Sequence, residues 1–470
     1  MRVEIPFNGP AYETESRLVS AQECVNFYPR EYGEDQIVLY GTPGLEVFCD
    51  LETDQAIHDM LVWENYLYAV SGGSLYQVTK SGSKSDLGSL NTAARADMAT
   101  NGLDILIVLG ETGFVYDLDA GTLTQITDLD FPGGSNVIQA DGYYLVNKPH
   151  TGQIWRSNYN DGSQWNGLAF STAGGDSDDI RGLIVDNRDI IILGEWSTEI
   201  WYNTGEATFN FARIDGAFIE QGMVSPFART RVNNAVYFLG QDKRGRGQVF
   251  QMVGRSPTVI STTPIEYQIS QCDVTDALML SYQQEGHAFV VLTLPIEGKT
   301  FVYDSITKMW HMRSSRVAGV DTRWRANCHA YFDGKHLVGD YLNGKIYEVK
   351  TDVYDEDGTD LIATRTTPVI RRSQNRFTVN ELQVLTEPGV GLITGDDEDI
   401  DPQGMISWSK DGGYTWSPEV MVPMGKIGEI DNRTRVTQLG QGRNWVFSFK
   451  VSAAVKRVIL GAYAEIEEDE

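Results

Sequence analysis

The sequence predicts an all-β protein built around a β-propeller, on three observations. An aliphatic residue followed by an aromatic recurs seven times: Leu75-Tyr76, Val115-Tyr116, Ile154-Trp155, Ile200-Trp201, Val249-Phe250, Val302-Tyr303 and Ile346-Tyr347. Successive aromatics stand 40, 39, 46, 49, 53 and 44 residues apart, the period of a propeller blade. A plain β-sandwich would instead place turns every 8 to 12 residues or so. Glycine lies three positions before the aromatic in five copies (Gly73, Gly113, Gly152, Gly247, Gly344), with Thr198 and Thr300 in the others. Finally, no segment sustains the i, i+3, i+4 apolar spacing of a long amphipathic helix. Seven copies favour seven blades; six would follow if a terminal copy is an addition.

The elements follow in order. Residues 1–50 precede the repeat and read as an extended arm, with turn chemistry at Tyr28-Pro29 and Thr42-Pro43-Gly44. Residues 51–355 carry the repeat. Upstream of each dipeptide lies a β-branched or aromatic run, such as Leu67-Tyr68-Ala69-Val70 or Val236-Tyr237-Phe238-Leu239, so each unit reads turn, strand, turn, strand. A lone hairpin cannot bury both of its faces, and radial stacking of such units gives a propeller with protected edges. Near Asp352-Val353-Tyr354-Asp355-Glu356-Asp357-Gly358 the dipeptide stops, and residues 361–470 read as a C-terminal, sandwich-like β domain ending in an acidic tail.

Charge narrows the function. Thirty-eight Lys and Arg face 65 Asp and Glu, a formal charge of −27, which opposes any sequence-independent grip on nucleic acid. DNA is compatible only as a passenger that the wall does not hold. Cys24, Cys49, Cys272 and Cys328 form no C-x-x-C pair, which suits synthesis in a reducing compartment. The start has no charged head before an apolar run, and no apolar stretch approaches the ~20 residues of a membrane helix, so neither a signal peptide nor membrane insertion is expected.

Motifs for chemistry are sparse. Ser409-Lys410-Asp411-Gly412-Gly413-Tyr414-Thr415-Trp416 has the form S-x-D-x-G-x-T-W and resembles the Asp box of sialidases and other propeller glycosidases. Its residues suit a turn: Asp411 accepts from turn amides, Gly413 supplies a positive φ, and Trp416 packs beneath the hairpin. No nucleophile elbow, phosphate loop or zinc-type histidine pair is present, so no catalytic residue, cofactor or metal is expected. Two basic clusters, Lys243, Arg244 and Arg246, then Arg371, Arg372 and Arg376, read as docking patches for an acidic partner or as surface loops.

Beyond these motifs, Ser197-Thr198-Glu199-Ile200-Trp201-Tyr202-Asn203, Gly216-Ala217-Phe218-Ile219-Glu220, Gly245-Arg246-Gly247, Tyr282 to His287 and Val302-Tyr303-Asp304 to Trp310-His311 resemble the packaged-DNA stabilisation proteins of short-tailed bacteriophages. Val25-Asn26-Phe27-Tyr28-Pro29 and Pro43-Gly44-Leu45 resemble that family's opening. The resemblance implies a tail hub, or nozzle: a virion protein made in the bacterial cytoplasm and assembled as a hexameric ring below the head-to-tail adaptor. Such a ring would meet the tail needle and the tailspikes or fibres, and double-stranded DNA would pass through without specific binding. On this reading Asp355, Glu356, Asp357, Asp396, Asp397, Glu398 and Asp399 face the channel or its mouth. The alternative is a carbohydrate-binding or sialidase-like propeller of a phage tail, which the Asp box favours.

Overall fold

The fold was obtained as a computed structural model, which describes residues 1–9, 12–13, 15, 20–33, 36–175, 178–241, 247–372 and 375–468. Seven antiparallel sheets form seven blades. The first runs Ile57–Trp63, Tyr66–Ser71, Ser74–Thr79 and Lys84–Ser89; the next five begin with the inner strands Asp97–Thr100, Val137–Ala140, Ile180–Asp186, Arg229–Val232 and Leu278–Gln284. Each inner strand touches the next, and the seventh, Ala326–Phe332, touches the first, so the ring closes.

All seven aliphatic–aromatic dipeptides fall on the third strand of their blade, and the aliphatic member is buried in every one. That position explains the repeat. The third strand is sandwiched between neighbours on both edges, and its inward residues fill the space between blade faces. There Tyr68, Val70 and Leu75 of blade 1 meet Met98, Ile105 and Ile107 of blade 2. The core is therefore a ring of inter-blade layers. Polar staples cross the same boundaries: Asp59 accepts the Met98 N–H at 2.9 Å, and one blade on, Asp97 accepts the Val137 N–H at 3.0 Å.

Residues 1–50 do not form an extended arm. Gly44–Asp50 is the fourth strand of blade 7, antiparallel to Lys345–Lys350, so the start of the chain closes the ring with its last repeat. Cys49 and Leu51 join Ile346 and Leu337 against Ile57 and Leu67 of blade 1 in that closure. Phe27–Tyr32 and Gln36–Gly41 extend the sheet of Phe377–Thr386, Thr434–Gly442 and Val458–Glu468, and Arg2–Ile5 also pairs with the last of these. The reason is hydrophobic: Ile5, Phe7, Phe27 and Leu39 are buried in the sandwich core with Trp445, Phe447 and Phe449, where an arm would leave them in water.

The C-terminal domain is a β-sandwich. Its second sheet, Ala363–Thr366, Val446–Val451, Gln403–Ser409 and Val420–Pro423, is joined through the short strand Cys24–Val25 to Met309–Val317 of blade 6, forming one ten-stranded sheet across both domains. Helix is confined, among the described residues, to Thr263–Ser270 and the single turn Asp397–Ile400.

Asn26 ties this junction. It is fully buried with φ +55°, a conformation that Asn tolerates better than most side chains. Its side-chain N–H groups donate to Ser314 O at 3.1 Å and Ile362 O at 2.7 Å, and its Oδ1 accepts the Ser314 N–H at 3.0 Å. Gly44 is needed for a different reason: a Cβ there would lie 2.3 Å from Asp355 O and 2.6 Å from Val353 O. Both residues belong to the opening segments singled out above.

Candidate functional site

Three places could carry function: the propeller axis, the Asp box and the charged clusters. The axis holds a cavity of about 540 Å³ to which all seven inner strands or their flanks contribute. Its carboxylates sit together. Burial, reinforced by the charge of Asp97, pushes Asp59 up to about 8. A neutral acid beside a carboxylate is a pattern used in general acid/base catalysis. Here, however, both side chains are engaged in blade stitching. Asp59 accepts the N–H groups of Met60 and Met98, both at 2.9 Å, while Asp97 accepts from Val137 N–H, from Asn136 Nδ2 at 3.2 Å and from Arg229 Nη2 at 3.2 Å. The pair ties blades 1, 2, 3 and 5 together. Among the described residues no group of three or more His, Cys, Asp and Glu side chains could hold a metal ion.

The Asp box is a self-contained turn. Asp411 Oδ1 accepts from Ser409 Oγ at 2.7 Å and from the Tyr414 and Thr415 N–H groups at 3.0 and 2.9 Å, and Oδ2 accepts from Thr415 Oγ1 at 2.6 Å. Slight burial opposes ionisation, but these bonds outweigh it and hold the carboxyl down at about 2. Gly413 has φ +96°, the positive value the turn requires. Trp416 departs from expectation: it is 40% exposed and lines a cleft between blade 6 and the sandwich. The tryptophan that the turn does meet is Trp445, fully buried in the sandwich core, over which the Lys410 ammonium lies at 5.4 Å.

Of the basic residues, Lys243, Arg244 and Arg246 lie outside the described residues. Arg371 is exposed and donates to Asn444 Oδ1 at 2.9 Å; Arg372 is half-buried and Arg376 exposed.

The acidic residues divide. Glu356 does not face a channel: it is 1% exposed, its Oε2 is 3.8 Å from Arg325 Nε, and burial raises its pKa. Asp357 pairs with Lys345 at 2.6 Å. Asp355 and Asp399, 44 positions apart in sequence, both act electrostatically on Arg457, a fully buried guanidinium that burial nonetheless lowers to about 10. Arg457 donates to Ala453 O at 2.7 Å and Tyr354 O at 2.9 Å. Asp396, Asp397 and Glu398 remain exposed, Asp396 capping the short helical turn.

Sequence reasoning missed the buried arginines. Arg313 donates to Pro43 O at 2.8 Å and Tyr282 Oη at 3.1 Å while its guanidinium lies 3.7 Å from the Trp324 ring centroid. Arg365 donates to Phe7 O at 2.6 Å and Glu23 O at 3.3 Å. Each pins the N-terminal segment, the propeller or the sandwich to another of the three, and the carbonyls they serve carry no sequence signature.

The family described as bacteriophage P22 Gp10, β-propeller, matches residues 5–354, and that described as bacteriophage P22 Gp10, β-sandwich, matches residues 363–467. The chain belongs to the P22 Gp10 family. It is thereby a structural protein of a bacteriophage, and the two matches meet where the blade 7 sheet gives way to the sandwich. No curated protein matches it significantly. Among solved structures, the N-terminal domain of Nup159 is 10% identical, covering 72% of this chain and 99% of its own, with a TM-score of 0.43. YCF48 from Cyanidioschyzon merolae is 11% identical, with 65% and 98% covered and a TM-score of 0.41.

In this P22 Gp10 family member the quoted motifs have structural work. Glu199, 2% exposed, accepts from Gly175 N–H at 2.6 Å and Trp201 Nε1 at 2.7 Å and pairs with Arg213 at 3.3 Å. His287 Nδ1 lies 2.6 Å from Asp304 Oδ2, and Arg30 Nε donates to its Nε2 at 3.3 Å, so the ring links the N-terminal hairpin to blade 6. No described helix is long and apolar enough to cross a membrane.

Proposed function

We propose that this protein is the tail hub, or nozzle, of a short-tailed phage. It would assemble as a ring, with six copies expected, below the head-to-tail adaptor, extend the DNA channel and help retain packaged DNA until ejection. The observation that carries the reading is the pair of consecutive family matches, propeller then sandwich, over nearly the whole chain. The junction supports it: the two domains share a ten-stranded sheet and are pinned by Asn26, Arg313 and Arg457, as suits a part that bears the pressure of packed DNA without hinging. The charge supports it too. With −27 on each chain, a ring presents DNA with a wall that offers no net counterion release, so the passenger is not held back electrostatically.

Tail needle and tailspike or fibre proteins are the other partners this role requires. The glycosidase alternative gains nothing from the Asp box, whose carboxylate is spent on its own turn.

Heads assembled without this protein test the role. DNA content is compared immediately after packaging and hours later. Heads that fill and then leak support the hub. Heads that stay full but fail to adsorb or to degrade host polysaccharide would replace it with a receptor-binding or glycosidase role.

A further inference from the structure

Two loops at one end of the sandwich carry an unusual surface. Residues 387–402 and 424–433 pack directly on each other: Gly391 N–H donates to Gly425 O at 3.3 Å, and a Cβ on Gly391 would stand 3.1 Å from Lys426 Cα. From this base Ile393 is 79%, Ile430 73% and Ile427 57% exposed, with Leu392 and Ile400 also open to solvent. Single exposed apolar residues are ordinary; several isoleucines on adjoining loops mark a surface that something covers. The loops are not loose. Leu392 N–H donates to Asp399 O at 2.7 Å, Lys426 pairs with Asp401 at 3.3 Å and Asp399 Oδ1 accepts the Ala454 N–H at 2.9 Å, so the apolar side chains are held outward on a braced support.

The rim is acidic. These two loops contain eight carboxylates against Lys426 and Arg433 alone, and Asp396, Asp397, Glu398, Glu429 and Asp431 are exposed. That charge decides what can sit there. DNA and an anionic lipid surface would be repelled. A second copy of the chain is disfavoured for a related reason. Its described arginine cluster, Arg371, Arg372 and Arg376, lies at the opposite end of the sandwich beside the last strand. The register Thr378↔Glu467 sets the exposed Glu467 on the neighbouring strand beside that cluster, which weakens its pull on a second acidic tip.

We propose that this isoleucine tip docks into another protein of the phage particle, one that presents an apolar pocket ringed by Lys and Arg on the DNA-filled head. The proposal rests on the hub reading for where the partner sits. The isoleucines supply affinity by leaving water, and the carboxylates supply orientation and rate of encounter.

The test uses DNA-filled heads that lack this protein, mixed with the purified full-length chain and sedimented. The wild-type chain is compared with Ile393→Ser/Ile430→Ser and with Asp396→Lys/Asp397→Lys/Glu398→Lys. The expected result is head binding by the wild type, a loss of about tenfold or more in the isoleucine variant, and a loss in the lysine variant that fades at high salt. All the changed side chains are exposed or sit in exposed loops, so an unchanged melting temperature shows that each variant is folded. Equal binding by wild type and variants overturns the tip while leaving the hub intact. Failure of the wild type to bind heads overturns both. Loss of self-association by light scattering with head binding unchanged makes a second copy the occupant. Isoleucine-dependent binding to phosphatidylglycerol vesicles makes it a membrane. Either of these last two results also overturns the proposal.

Discussion

The domain junction and the sandwich tip break the usual partition of side chains in opposite directions. At the junction, charges are inside: Arg313, Arg365 and Arg457 are among the largest fully buried side chains, and Glu356 is buried with them. At the tip, isoleucines are outside. The junction is affordable because each guanidinium finds backbone carbonyls of segments distant in sequence, which converts a desolvation penalty into a fixed geometry between two domains. The tip has no such compensation among the described residues. The difference teaches that an inverted rule satisfied internally is architecture, whereas one left unsatisfied points to a partner.

The largest test of the junction is removal of residues 1–50. That deletes the fourth strand of blade 7, three strands of the first sandwich sheet and the strand Cys24–Val25 that joins the two domains, so both domains should lose cooperative folding, read as loss of a sharp thermal transition and as rapid proteolysis. A stable, protease-resistant propeller without these residues would show that the N-terminal segment is peripheral. Next, Arg313→Ala removes a buried cation that faces Tyr282, Pro43 and, electrostatically, Glu356. Breaking such a site by removing one partner costs about 3–5 kcal/mol, measured by denaturant unfolding.

Asn26→Ala should cost somewhat less, about 2–4 kcal/mol, from buried partners left unpaired and a positive φ that alanine resists. Asn26→Gly restores only the backbone freedom and should recover a small part of that loss.

How much of this was legible beforehand follows from the range of each signal. The propeller was legible because its repeat is local: each dipeptide sits on the third strand of its own blade and reports one structural unit. The closure of blade 7 by Gly44–Asp50 was not, because it pairs strands almost 300 residues apart and no turn announces the partner. The acidic segments were read by composition alone as one class. The structure separates Glu356, which answers Arg325, and Asp355 and Asp399, which answer Arg457, from Asp396, Asp397 and Glu398, which are exposed and meet no cation among the described residues. Composition gives the number of charges; only the fold says which are already neutralised.

A pH series sharpens the comparison within the propeller. Burial holds His311 and His329 down at about 3, so both are neutral in the fold while the unfolded chain binds protons near 6.5; stability is therefore lost as pH falls from about 6.5 toward 3. Asp59 runs the other way. It stays protonated in the fold up to about 8 while the unfolded carboxyl ionises near 3.9, so stability is lost as pH rises between those values. From pH 6.5 to 8 the aspartate acts without the histidines, with a loss of about 2 kcal/mol or less. Asp59→Asn should remove that alkaline decline and steepen the acid limb between about 3.9 and 6.5, where the aspartate opposes the histidines. An equal decline in the variant would place the alkaline sensitivity elsewhere.

The smallest expected stability effect belongs to the tip. Ile393→Ser or Ile430→Ser removes a side chain that is already mostly in water, so the unfolding free energy should move by no more than about 0.5 kcal/mol. Arg313→Ala and Ile393→Ser thus form a pair with opposite signatures. The first should destabilise the protein and lose assembly only as a consequence; the second should leave the isolated chain intact and alter assembly alone. A loss of several kcal/mol in Ile393→Ser would mean that the loops cover their isoleucines against the sandwich in solution, and the tip would then belong with the junction as architecture.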